Sequence, residues 1–199
     1  NECVTVNAKG TTVPSGGTCT KGVINITAGN NANVDGIHQV GGRLFTNGGG
    51  GLLDIQAANT LTVENTSLLG ATVPGETGAY TGDGGRIDLT STSGDIVING
   101  GSTVIGGVQR GLVDFSSGAT GDGGVLNVTA NNGNITFTNA NLNGDGAGGG
   151  FGGVITALAG NNLNVDNLSN FVTAGAANAS NNIISLTGNA VNDTGTLNA

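Results

Sequence analysis

One seven-residue phrase constrains this chain more than any other feature. Gly-Val-Ile-Asn-Ile-Thr-Ala begins at Gly22 and returns as Gly-Leu-Leu-Asp-Ile-Gln-Ala from Gly51. Gly-Arg-Ile-Asp-Leu-Thr starts at Gly85, Gly-Val-Leu-Asn-Val-Thr-Ala at Gly124, and a looser Gly-Val-Ile-Thr-Ala-Leu-Ala at Gly153. Asn-Ile-Ile-Ser-Leu-Thr follows from Asn182, so successive starts are 29, 34, 39, 29 and 29 residues apart. A period of this size marks one supersecondary unit stacked on the next.

Each unit opens with an alternating strand. Ile24/Ile26, Leu53/Ile55, Ile87/Leu89, Leu126/Val128, Ile155/Ala157 and Ile184/Leu186 share one face, and Asn25, Asp54, Asp88, Asn127, Thr156 and Ser185 fall between them on the other. That is the period-2 geometry of a half-buried strand. A Gly- or Asn-containing corner and a second strand follow: Leu61/Val63, Ile96/Ile98, Ile135/Phe137 and Leu163/Val165. A third apolar position closes the unit at Ile37, Leu68, Val104, Leu142, Leu168 and Leu197. Three strands and three corners per unit predict an all-β fold, a right-handed parallel β-helix of about six coils, with equivalent strands about 4.8 Å apart. A sandwich would not repeat one motif in phase. A propeller blade needs four strands, and Gly with β-branched alternation excludes helices.

Composition fits a narrow, repetitive core. Gly accounts for 40 of 199 residues, aromatics for 3%, and Met and Trp are absent, leaving Val, Ile and Leu to fill the interior. The net charge is −8, with Lys9, Lys21, Arg43, Arg86 and Arg110 the only basic residues. This excludes nucleic acid and anionic membrane surfaces as partners, since both require clustered cations. No run of 18 apolar residues predicts a membrane-spanning helix. The sequence starts at Asn1 with no signal-like segment, which reads as a processed or excised chain.

Two domains are expected. Residues 1–21 stand outside the repeat as a stapled N-terminal segment, and 22–199 form the β-helix. Cys3 and Cys19 are the only cysteines and the single His is His38, so a disulfide is expected rather than a metal site. Such a loop of about 16 residues would contribute on the order of 3 kcal/mol.

The two long units carry insertions, read as Leu69–Gly84 and Ile105–Gly123, which leave the same side of the tube. The second contains Val108, Arg110, Leu112, Val113 and Phe115, apolar for a loop. Those five residues are a candidate partner contact; the alternative is an extra strand packed along the tube. The ends show no amphipathic capping helix, whereas a solenoid leaves unpaired backbone groups there. Either the tube continues, or the next subunit covers the end, and a heterologous contact of that kind gives an open filament.

Gly84-Gly85-Arg86-Ile87-Asp88-Leu89-Thr90 with Ser93-Gly94-Asp95-Ile96-Val97-Ile98, and the stretch from Gly123 through Phe137, resemble the repeats of filamentous-haemagglutinin-like exoproteins of bacteria. The resemblance covers about residues 22–197 and is one of composition and period. It implies a right-handed β-helix, secretion, and roles in adhesion or surface structures. The secretion domain of that family, with its Asn-Pro-Asn motifs, is not evident in this chain.

Candidate chemistry is sparse. Asp54 and Asp88 occupy equivalent outward places in neighbouring coils, with Arg86 beside Asp88. Convergent carboxylates with Arg could serve a polysaccharide lyase or hydrolase, but no aromatic platform for a sugar accompanies them. The corners Gly82-Asp83-Gly84, Gly121-Asp122-Gly123 and Gly144-Asp145-Gly146 suggest calcium. One carboxylate per corner is far from the six to eight oxygens that calcium needs, so turn chemistry is the better account and no cofactor is expected. Seven Asn-x-Ser/Thr sequons, at Asn25, Asn65, Asn127, Asn134, Asn167, Asn178 and Asn192, follow from composition. Asn ladders are expected inside the coils. The function expected is therefore a non-enzymatic, secreted structural protein that stacks end to end as a homopolymer outside the cell. An adhesive module contacting a host surface or polysaccharide is the alternative, and a polysaccharide-degrading enzyme is remote.

Overall fold

A computed structural model describes residues 3–7, 12–15, 23–39, 51–69, 83–100, 102–105, 108–111, 113–117, 120–175 and 182–199, with side chains placed for 23–34, 51–64, 83–100, 113–117, 120–175 and 182–199. The described residues are strands, corners and bends, with no helix. An N-terminal pair, β1 (Cys3–Asn7) and β2 (Thr12–Ser15), precedes the repeat. The first unit gives β3 (Val23–Ala28) and β4 (Ala32–Gln39); the second gives β5 (Leu52–Ala57) and β6 (Leu61–Leu69). The third gives β7 (Arg86–Ser91), β8 (Ile96–Asn99), β9 (Ser102–Ile105), β10 (Val108–Gly111) and β11 (Val113–Asp114). The fourth gives β12 (Val125–Ala130), β13 (Ile135–Thr138) and β14 (Asn141–Asn143). The fifth gives β15 (Val154–Ala159), β16 (Asn162–Val165) and β17 (Asn170–Val172), and the sixth gives β18 (Ile183–Thr187), β19 (Ala190–Asp193) and β20 (Thr196–Asn198).

The opening strands of all six units lie side by side in one sheet, in the order β18-β15-β12-β7-β5-β3-β1-β2. Every neighbour from β18 to β1 is parallel and in register. One column of that register runs Ile24, Leu53, Ile87, Leu126, Ile155, Ile184. A second sheet collects the remaining rungs: β19-β16-β13-β8-β6 along one wall and β6-β11-β14-β17-β20 along the other, with β4 flanking β6. Strand β6 joins the walls, pairing with β8 through Leu61–Glu64 and with β11 through Leu68–Leu69. The architecture is a parallel β-solenoid.

Its core is the set of inward columns. Leu53, Ile55, Ile87, Leu89, Ile96, Ile98, Leu126, Val128, Ile135, Leu142, Ile155 and Leu163 are all sealed from solvent. Each such side chain contributes about 1.5–3 kcal/mol relative to an exposed position. Phe137 and Phe171 meet edge to face, ring centroids 4.8 Å apart, and Phe115 completes a buried aromatic set. Coils approach so closely at the corners that side chains are excluded there. A methyl group on Gly123 would overlap the carbonyl oxygen of Gly144, and one on Gly144 would overlap the Phe115 ring.

The third wall differs from the sequence reading in three places. In the first unit the register partner of Leu68 is His38, and Ile37 lies opposite Ser67. In the third unit its rung is Val113, paired with Leu68 and Leu142, whereas Val104 belongs to the β9–β10 antiparallel hairpin. In the fifth unit the rung is Phe171, paired with Leu142 and Leu197, and Leu168 is 65% exposed. In all three units the first apolar residue past the second strand is not the wall position. Strand pairing instead places the wall farther along. The hairpin explains the longest unit: it spans Ser102–Gly111, ten residues, and the unit exceeds the basic period by 39 − 29 = 10.

One further expectation changes. Among the described residues Asn side chains stack at exposed corners rather than inside the tube: Asn161 donates to the Asn132 carbonyl and Asn189 to that of Gly160. The Asn164–Asn192 pair lies on the outer face. β1, from the N-terminal segment, pairs in parallel with β3 over five residues. The Cys3–Cys19 pairing lies outside the described residues, as do Leu112 and most of the Leu69–Gly84 insertion.

Candidate functional site

The carboxylates foreseen on the outer face of the first sheet are brought together as expected. Asp54 and Asp88 are register partners on β5 and β7. The Arg86 Nε donates to both oxygens of Asp88, the shorter contact being 2.7 Å, and Asn127 donates to Asp88 Oδ1 at 2.8 Å. Gln56 donates to Asp54 Oδ2 at 2.9 Å. The hydrogen bond and charge of Asp88, with a smaller contribution from Asp54, hold the Arg86 guanidinium above its ordinary pKa. The group is shallow, with Arg86 largely solvated, and an ion pair of that kind is worth little. Two of these links run along a strand, Arg86–Asp88 on β7 and Gln56–Asp54 on β5, and one crosses between strands, Asn127–Asp88.

The Gly-Asp-Gly corners also have a legible task. Asp83 Oδ1 accepts the Asp122 amide, Asp122 Oδ1 accepts the Phe151 amide, and Asn182 Oδ1 accepts the Gly152 amide. Asp145 Oδ1 accepts the Ala174 amide, and Asp95 Oδ1 accepts the Asn134 amide. Each side chain ties its own unit to the neighbouring one. Among the described residues no group of three or more His, Cys, Asp or Glu forms a set that could hold a metal ion.

Two acids in this system are displaced in opposite directions. Partial burial, reinforced by the nearby charge of Asp114, pushes the Asp145 carboxyl up despite its bond from Ala174. Partial burial pushes Asp166 up as well, but bonds from the Ser169 hydroxyl and from backbone amides of Asn139, Leu168 and Ser169 outweigh it and hold that carboxyl below its usual range. Sequence reading missed the Asp166 corner, which a single Asp-Asn-Leu-Ser run carries. It also missed Ser91, a buried corner hydroxyl within hydrogen-bond reach of the Asn59 and Gly94 carbonyls that accepts the Gly94 amide.

The candidate contact residues of the insertion separate. Val113 and Phe115 are core, both fully sealed. They line the tube rather than a docking surface, because β11 is a wall strand held between β6 and β14. Val108 and Arg110 lie on β10, which pairs with β9 and runs beside β14. Val108 and Arg110 thus lie on an added strand, as the extra-strand alternative to a partner contact expects.

Among the described residues, the sixth unit leaves its inward apolar positions open to solvent. Its residues hold the same register positions as buried ones: Val191 stacks on Leu163 and Leu197 on Phe171. Yet Val191 is 43% and Leu197 41% exposed. Ile184 and Leu186 are only half-buried, and in the first unit Ile24 and Ile26, in the same two columns, are half-buried too. The outer strand edges of β18, β19 and β20 have no partner strand among the described residues. Chemically, this terminal rung is a β-sheet template backed by an apolar cross-section.

Comparison with protein-family models, with curated proteins and with solved structures gives no match to this chain.

Proposed function

We propose that the chain is a right-handed parallel β-helix of about six coils, stapled at its N-terminus by Cys3–Cys19, and that it serves as a secreted structural protein. In this reading it is the subunit of an extracellular filament or surface fibre assembled by head-to-tail stacking of solenoids. One observation carries it: the two inward columns that finish at half-buried Ile184 and Leu186 on β18 run in unbroken parallel register through Ile24 and Ile26, also half-buried, to Val4 and Val6 on β1. Two ends with one cross-section are complementary under translation along the tube, the heterologous contact that propagates without closing. Low charge, few aromatics and an outer face whose polar groups satisfy each other suit a structural wall better than a catalytic cleft. The repeat-level resemblance to filamentous-haemagglutinin-like exoproteins points the same way.

Electron microscopy of the purified protein across a concentration series tests the proposal. Unbranched fibres with a repeat along the tube axis are expected; dispersed monomers at high concentration contradict it. A second reading, an adhesive module using the β9–β10 side, is favoured by the hairpin alone. Replacing Ser102–Gly111 by a short Gly-Ser link would abolish surface attachment while leaving the fold intact if that reading holds, and would leave attachment unchanged if the filament reading holds.

A further inference from the structure

The two ends of the large sheet are finished differently. From β18 through β1 every pairing is parallel and in register, but β2 lies antiparallel on β1, with Cys3 opposite Ser15 and Val6 opposite Thr12. β2 is the one antiparallel member of the eight-stranded sheet. It has four residues against five in β1 and in β18. One of the four, Pro14 opposite Val4, has no amide hydrogen, a residue that blunts sheet edges. The strand closes the backbone edge without completing the core, since Ile24 and Ile26 stay half-buried beneath β1.

We propose that β2 is a displaceable cap, holding the edge of β1 that the β18 edge of a second copy takes in the stacked filament. This rests on the head-to-tail reading above and names the strand that regulates it. The register specifies the exchange. The column Ile183, Val154, Val125, Arg86, Leu52, Val23 ends at Cys3. An incoming β18 therefore sets Ile183 against Cys3, Ile184 against Val4 and Leu186 against Val6. A five-residue parallel strand followed by β19 and β20 continues all three walls, whereas β2 covers one. The cap holds at low protein concentration because it is tethered to β1 by a four-residue link, which gives it the high effective concentration of an intramolecular partner. The occupant is a second copy because the site asks for a strand followed by two more at the corners of the same cross-section, and β18–β20 supply that.

The test compares the threshold concentration for fibre formation, by light scattering and electron microscopy, in the whole chain and in Val13→Pro, which removes a second amide from β2. The variant is expected to polymerise at a threshold lower by about tenfold or more. Ile184→Asp with Leu186→Asp is expected to abolish fibres in either background. For a readout that does not depend on the proline variant folding, Thr5→Cys with Val13→Cys, which are cross-strand partners, is made in a chain with Cys3→Ser and Cys19→Ser. Oxidation then locks the cap and is expected to stop growth; reduction restores it. The cap is wrong, and the filament reading survives, if Val13→Pro leaves the threshold unchanged or raises it, or if the locked chain grows as readily as the reduced one. Both are wrong if folded whole chain and folded Val13→Pro form no fibres at any concentration.

Discussion

The fourth and sixth units are built from the same kinds of residue in the same register, yet their inward side chains live in different surroundings. Ile135 and Phe137 on β13 are sealed, while Val191, in the same column as Ile135 two rungs away, is open to solvent. The difference is not local sequence. It is the presence of a neighbour on each side, the nearest-neighbour energetics of a stacked repeat. A solenoid rung is stable to the extent that something covers it, so the terminal rung is where association has most to gain.

That contrast can be broken by substitution. Phe137→Ala removes a ring packed against Phe171 and is expected to cost about 3–5 kcal/mol; Val191→Ala, in the open rung, is expected to cost less than about 1 kcal/mol in dispersed protein. Urea unfolding of the two variants measures both, and equal losses would erase the distinction between middle and end. Gly123→Ala places a methyl group in the Gly144 carbonyl and is expected to cost about 1–3 kcal/mol. Gly149→Ala, whose added atom meets open space but whose φ is +96°, should cost about 1 kcal/mol through strain alone. Comparing them separates coil-to-coil contact from backbone conformation.

A smaller effect of opposite sign is expected at Thr173. Its hydroxyl is buried with no hydrogen-bond partner among the described residues, so Thr173→Val, nearly the same shape, should stabilise the protein by about 1 kcal/mol. A loss of stability in thermal unfolding would mean that the hydroxyl has a partner.

The smallest effects concern pH. Asp166 is held below its ordinary pKa, so its contribution is full above the unfolded value and fades as pH falls through the folded one. Asp145 is raised, so its folded form favours the proton: stability is full below the unfolded pKa and is lost as pH rises through the folded one. Asp166→Asn should therefore destabilise at neutral pH with the difference vanishing in acid. Asp145→Asn, which keeps an oxygen for the Ala174 amide, should stabilise at neutral pH and converge with the parent in acid. Melting curves from acid to neutral pH check both signs.

Much of the tube was legible in the residues. The inward columns of the first two walls were readable because strict alternation leaves one face no choice, and all the wall positions named there hold. The third wall was less legible. Short rungs such as β11 and β17 carry one inward side chain each, so alternation has nothing to repeat and pairing decides. Ile37, Val104 and Leu168 are apolar yet lie off the wall column, while Val113 and Phe115, apolar in what reads as a loop, are core. The Asp54–Arg86–Asp88 group was predicted in place. Its polar neighbours Gln56 and Asn127, which donate to Asp54 and Asp88, were not weighed. The N-terminal cap strand could not be read, because Thr-Val-Pro-Ser offers too little alternation to show which edge it joins.

Hydrogen exchange, followed strand by strand before and after assembly, tests the central claim most directly. In dispersed protein the amides of β18, β19 and β20 should exchange much faster than those of β12 and β13, because local opening is easiest where a rung lacks a neighbour. In assembled protein they should become as protected as the middle of the tube. Terminal-rung amides already as slow as β12 in dispersed protein, or still fast within the assembly, would contradict the account.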